Sequence, residues 1–185
     1  MGEKEIRVRE GTERDFLQML PLCDERYGPG YLTKAIFDRW MEHKSLLKIA
    51  EMGGEFAGFA VMVPASVEEV MEKMAMPRED VDAIAGGRPA LIYKSAAVPR
   101  RHEHKGVMHA LAVAGLATAR QEGYGSLFGS AWMYNGKSPI AGTFQSFGFV
   151  PLYRREKLWY NDSGYTCVVC KGRCICDAMI YYKIL

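Results

Sequence analysis

The chain's 185 residues are 49% hydrophobic and 25% charged. That suits one α/β domain (1–185) with a packed core and excludes a disordered chain. A formal net charge of +2, from 24 basic and 22 acidic residues, lacks the basic bias of a nucleic-acid binder. Met1 to Glu10 carry charge and no apolar stretch, and no run of about eighteen apolar residues marks a membrane span. A cytoplasmic protein with neither a nucleic-acid nor a membrane partner is therefore expected.

Ile6 and Val8 alternate with polar neighbours, which predicts a first strand. Thr12 and Asp15 then form a capping-box-like pair opening a helix, with Phe16, Leu17, Met19, Leu20 and Cys23 as its apolar face. Tyr27-Gly28-Pro29-Gly30 breaks that helix. Thr33 caps a second helix whose inward residues are Ile36, Phe37, Trp40 and Met41. Leu46–Met52, Gly53-Gly54 and Glu55–Val63 read as a hairpin, the glycines supplying the positive φ angles of a tight turn. An amphipathic insertion, 66–88, is interrupted at Pro77.

Leu91–Val98 is the next strand, Pro99–Lys105 a basic loop, and Gly106–Gln121 an alanine-rich helix that is apolar nearly all round and so expected to be buried. Leu127–Met133 is a strand. Ser138-Pro139 reads as an N-cap followed by proline at the first helical position, opening a helix that runs to Gly148. Tyr153–Tyr160 and Ala178–Ile184 are the last strands. Antiparallel strands precede crossovers, so the fold class is α/β, with a mixed sheet and helices on both faces.

The first chemical constellation lies in the strand–loop–helix unit from Leu91 to Gly123. A donor-rich loop opening a helix is an anion site: free N–H groups point outward, and the helix end carries roughly half a positive charge. Gly106 lets the main chain approach a phosphate, while Arg100, Arg101 and Lys105 add charge. Here Ala97-Val98-Pro99-Arg100-Arg101 followed by His104-Lys105-Gly106-Val107-Met108 and Leu111 resembles the pyrophosphate motif of the GNAT N-acetyltransferase superfamily. Gly106 matches; Glu103 stands at the motif's Gln/Arg position and Met108 at its second small position. Further on, Tyr134-Asn135 through Phe147-Gly148-Phe149 is similar to the family segment that ends in a Gly-Phe pair after a helix packed beside the coenzyme. Phe144 stands where the family often carries a tyrosine acid.

The resemblance implies an acyl-CoA-dependent N-acyltransferase, moving acetyl from acetyl-CoA to an amine of a small molecule or protein by direct attack, in a monomer or homodimer. It implies a mostly antiparallel sheet whose central parallel strands splay apart. The pantetheine arm would pair with main-chain groups at Ala96, Ala97 and Val98. The diphosphate would sit at Gly106, Val107 and Met108 with the basic residues around it, and Asn135 would hydrogen-bond the coenzyme. Tyr134 is the implied acid or base. Its other reading is an aromatic wall residue, and that of Asn135 is a turn residue. His102 and His104 are expected to face solvent. The alternative functions are a non-catalytic GNAT-like module that binds coenzyme A or a partner, and a metal or redox protein.

The last constellation is Cys167-x-x-Cys170-Lys171-Gly172-Arg173-Cys174-x-Cys176. Its first half has the form of a zinc knuckle, in which Gly172 turns the chain so that N–H groups face the thiolates. Four thiolates could hold Zn2+ at about 2.3 Å per bond. Iron–sulfur ligation, a redox disulfide and spare thiols are the other readings. Cys23 is expected in the core.

Overall fold

A computed structural model describes residues 5–162 and 164–185; Met1 to Lys4, part of the charged start noted above, and Ser163 lie outside the described residues. The strands are β1 (Ile6–Glu10), β2 (Leu46–Met52), β3 (Glu55–Ala65), β4 (Ala90–Ala97), β5 (Ser126–Met133), β6 (Val150–Arg155) and β7 (Asp177–Ile184). They form a seven-stranded sheet in the order β1-β2-β3-β4-β5-β7-β6. The β4–β5 pair is parallel and the other neighbouring pairs are antiparallel.

The helices are α1 (Phe16–Arg26), α2 (Lys34–Glu42), α3 (Val67–Met74), α4 (Arg78–Ala85), α5 (Val107–Gln121) and α6 (Ala141–Ser146). Period-two alternation in the strands distributes them over both faces. On one face, Leu46, Ala50, Leu91, Tyr93, Leu127 and Ala131 pack with Val107 and Leu111 of α5 and Phe144 of α6. On the other, Leu47, Ile49, Phe59 and Val61 meet α1 and α2 through Met19, Leu22, Phe37 and Trp40. Ala90, Ile92, Phe128 and Ile180 meet α3 and α4 through Val70, Met74 and Val81.

Local chemistry sets the boundaries. The Asp15 carboxylate accepts the Thr12 N–H at 2.8 Å, ahead of α1. Thr33 Oγ1 accepts the Ile36 N–H at 3.2 Å, opening α2. In α3, Ser66 and Glu69 satisfy each other's main-chain N–H groups, and Pro77 separates α3 from α4.

Four expectations are corrected. Leu17 is 75% exposed, and Leu22 takes its place on the buried face of α1. Helix α5 is buried along one stripe only, with Val113 49% exposed on the other side. Ser138 does not cap α6: Ile140 occupies the N-cap position, and the Ser138 carbonyl accepts the Ala141 N–H in a preceding turn. The strand expected to run to Tyr160 ends at Arg155. The reason is register. Arg155 pairs with Ala178, near the start of β7, so residues beyond it have little strand left to pair with. Lys157 adopts φ 49° and the chain turns away.

Candidate active site

Strands β4 and β5 pair through Ala90–Tyr93 and Ser126–Gly129 and then separate, so half of each strand diverges. A cleft of about 960 Å³ opens there. Its walls include Tyr27, Tyr31, Lys94 to Val98, Ser130, Trp132, Phe144, Trp159 and Tyr165. Strand β4 carries a bulge at this point: Val61 pairs with Ser95 and Met62 with Tyr93, leaving Lys94 as the extra residue. A bulge re-aims main-chain groups beside a site.

The diverged edge of β4 is covered from the α1–α2 connection. The Tyr27 hydroxyl donates to the Ala96 carbonyl at 2.6 Å and accepts the Ala96 N–H at 3.1 Å. Tyr31 donates to the Lys94 carbonyl at 3.3 Å, and its oxygen lies 2.5 Å from Ser95 Oγ. Arg26 donates to the Val98 carbonyl at 2.7 Å. The alternate carbonyls Lys94, Ala96 and Val98 are therefore all engaged. Tyr27 and Tyr31 stack at 4.3 Å, and burial, followed by the neighbouring Tyr31, holds the Tyr27 phenol well above its ordinary pKa.

At the other end of the cleft, Gly106 is the N-cap of α5, with φ 83°. A Cβ there would meet only Ile6 Cδ1, at 3.7 Å, so its left-handed backbone rather than crowding favours glycine. The first-turn N–H groups of α5 have no intrahelical acceptor and face outward, as at any helix start. Gly106, Val107 and Met108 line the cleft. Arg100, Arg101 and Lys105 are exposed and do not line the cleft, whereas His102, Glu103 and His104 among them do. Arg100 pairs with Glu25 at 3.2 Å and Lys105 donates to the Arg101 carbonyl at 2.6 Å. Glu103 is ion-paired with Arg26, which offsets its charge. His102, expected at the surface, is 7% exposed and accepts from Arg101 Nε at 3.2 Å; His104 is exposed as expected.

Tyr134 and Asn135 are not brought to this cleft. Met133 is the last β5 residue paired with β7, so both lie beyond the sheet. Tyr134 pairs with Lys137 across a turn in which Asn135 takes φ 49°. Both line a smaller recess with Cys170, Ile175 and Asp177. Tyr134 is 52% exposed and stacks on Trp132, whose ring does reach the cleft. The phenols that reach the cleft are Tyr27, Tyr31, Tyr93 and Tyr165. Phe144 packs against Tyr93, Phe149 and Tyr181, with centroids 4.6–5.6 Å away.

The four clustered cysteines converge on one point. Their Sγ atoms all lie within 4.8 Å of one another, and Cys167 and Cys174 also line the cleft. The Cys167 N–H donates to the Gly172 carbonyl and the Lys171 N–H to the Cys167 carbonyl, both at 2.9 Å, closing the knuckle turn. Lys171, not Gly172, adopts the left-handed conformation, with φ 57°. Cys23 is fully buried in the α1 core, where burial pushes its thiol up to about 12.

This fold is shared with acetyltransferases of known structure. The ribosomal-protein-S18-alanine N-acetyltransferase from Escherichia coli superposes with a TM-score of 0.67 at 13% identity, over 97% of this chain and 94% of that one. Ard1 from Thermoplasma volcanium gives 0.67 at 19% identity, over 97% of both chains. A GNAT family acetyltransferase from Elizabethkingia anophelis, solved with acetyl-CoA bound, gives 0.63 at 16% identity, over 97% and 98%. The chain has the GNAT fold. No protein-family model and no curated protein matches its sequence. Among the described residues, no helix is long and apolar enough to cross a membrane.

Proposed function

We propose that the protein is an acyl-CoA-dependent N-acyltransferase that moves acetyl from acetyl-CoA to an amine. The observation that carries this is the cleft between the diverging halves of β4 and β5, floored at one end by the Gly106 N-cap of α5. That end suits the coenzyme diphosphate, which the α5 N–H groups and helix dipole would bind, with Arg100, Arg101 and Lys105 close by in sequence. The pantetheine arm would run along β4 past Ala96, Ala97 and Val98 toward the bulge at Lys94.

Direct attack by an amine forms the amide C–N bond and breaks the thioester C–S bond. The amine loses a proton and the thiolate gains one. We assign the proton path to Tyr31, whose hydroxyl lies on Ser95 Oγ at the bulge, in place of Tyr134. Phe144, in the aromatic cluster, shapes the cleft and carries no proton.

A second reading is favoured by one observation: the β4 edge groups that pantetheine would use are already engaged by Arg26, Tyr27 and Tyr31. A GNAT-like module that binds a partner and does not turn over coenzyme fits a closed edge. Calorimetry with acetyl-CoA, followed by coenzyme A release across an amine panel, separates the two. Binding with amine-dependent release supports acyl transfer. Absence of binding at millimolar acetyl-CoA removes it.

A further inference from the structure

Among the described residues of 156–176, between β6 and β7, there is neither helix nor strand. Connections this long need something to order them. The buried centre of this one consists of Cys167, Cys174 and Cys176, 4%, 1% and 5% exposed, with Trp132, Trp159 and Tyr165 packed around them. Thiols are too small to fill a core of their own, whereas a metal bound by four of them supplies the missing cohesion.

We propose that Cys167, Cys170, Cys174 and Cys176 bind one Zn2+ ion, and that this ion holds the cysteine loop against Tyr27–Tyr31 to form the acceptor wall of the cleft. The wall assignment rests on the acyltransfer reading above; the metal assignment does not.

The sulfur geometry suits one ion. Zn–S bonds of about 2.3 Å in a tetrahedron place sulfurs about 3.8 Å apart. Here the four lie within 4.8 Å of one another, with Cys170 and Cys176 at 3.3 Å. Small side-chain rotations therefore complete the site. The thiol protons leave to solvent as the ion binds. The Ile175 N–H also points at Cys170 Sγ, at 3.4 Å, a main-chain contact of the kind that orients a metal ligand. Four mutually close thiols, three of them buried, favour a shared ion over a pair of separate disulfides.

The link to the cleft is main-chain. The Thr166 N–H donates to the Pro29 carbonyl at 3.0 Å and the Val168 N–H to the Tyr27 carbonyl at 3.1 Å. The Tyr165 ring meets Tyr31 edge-on at 5.6 Å. Gly28 sits between these bonds with φ 118°, and a Cβ there would fall 1.8 Å from the Thr166 carbonyl oxygen. The two segments are thus in direct contact, and Tyr27 and Tyr31 in turn engage β4. An ion that orders Cys167 orders Thr166 and Val168, and through them the tyrosines over the diverged strand.

The test combines metal analysis with amide hydrogen exchange on the full chain, and needs no coenzyme. Protein purified without added metal should carry about one zinc per chain. Cys170→Ser should lose most of it, and Cys170→His, which keeps a zinc ligand, should retain it. Chelation should remove protection from the Thr166 and Val168 amides and from residues 27–31, while β5 and β7 stay protected. Metal-free protein with all four clustered thiols titrating overturns the site. Zinc whose removal leaves residues 27–31 protected, or unprotects β5 and β7 equally, overturns the wall. Either result leaves acetyl-CoA binding to be judged separately.

Discussion

The Tyr27 hydroxyl lies 2.6 Å from the Ala96 carbonyl oxygen and 3.1 Å from the Ala96 nitrogen, so one side chain satisfies both main-chain groups of that residue. These are the groups a pantetheine amide would use on a diverged strand. On the proposed function, coenzyme and phenol would compete for them. In Tyr27→Phe the ring stays and the competitor leaves. The free protein should lose about 1–3 kcal/mol, because buried main-chain groups go unpaired. Acetyl-CoA affinity should rise roughly tenfold, equivalent to about 1.4 kcal/mol. Thermal denaturation with and without acetyl-CoA reads both effects. A fall in affinity would mean that Tyr27 bonds the coenzyme itself.

Gly106 gives a second test, at the far end of the cleft. Its φ of 83° makes any side chain costly, while the space around it is open. Gly106→Ala should cost about 1–2 kcal/mol of stability from the left-handed backbone alone. Gly106→Glu adds a negative charge where the diphosphate is expected, and should weaken acetyl-CoA tenfold or more beyond the alanine variant, about 1.4 kcal/mol. Equal affinities in the two variants would move the diphosphate elsewhere.

Much of this architecture was legible from local signals. Gly53-Gly54 between two largely apolar runs specifies the β2–β3 hairpin, and Thr33 marks the start of α2 because its cap acts within three residues. The cysteine spacing shows a cluster because its members are close in sequence. What stayed hidden depends on distant contacts. Tyr27 and Tyr31 look like part of a helix break, and their partners Ala96 and Ser95 lie 69 and 64 residues away. Tyr134 misled for the opposite reason. Its position at a strand end suggested the cleft, but β5 loses its β7 partner one residue earlier and the chain turns aside. His102 sits in a charged run, and nothing in that run predicts its burial.

Asp15 predicts the acid limb of stability. Burial raises its pKa, but hydrogen bonds from Arg9 and Thr12 and the nearby Arg9 charge outweigh it, so the carboxyl ends below its ordinary value. Arg9 holds it at 2.7 and 2.9 Å. A pKa depressed by folding contributes stability that is fully present above the unfolded value, about 3.9. That stability is lost as pH falls through the folded value. Asp15→Asn should therefore lower stability by about 1.5–3 kcal/mol at neutral pH, the range for bonds to a charged group. The gap from the parent should narrow in denaturant titrations below pH 4, roughly where the unfolded carboxyl titrates. A gap that stays constant with pH would assign the residue to helix capping alone.

The proton path offers a direct comparison of two tyrosines. Tyr31 lies in the cleft with its hydroxyl 2.5 Å from Ser95 Oγ, beside the β4 bulge. Tyr134 lies in the recess beyond β5 and is half exposed. General acid–base assistance is worth roughly a hundredfold or more. With an amine acceptor in hand, Tyr31→Phe should lower turnover by about that factor while changing acetyl-CoA affinity by less than about threefold, under 1 kcal/mol. Tyr134→Phe should leave turnover close to the parent, because Tyr134 does not line the cleft. The reverse pattern, loss at Tyr134 with Tyr31 silent, would require β5 to rearrange when coenzyme binds and would return the proton to Tyr134.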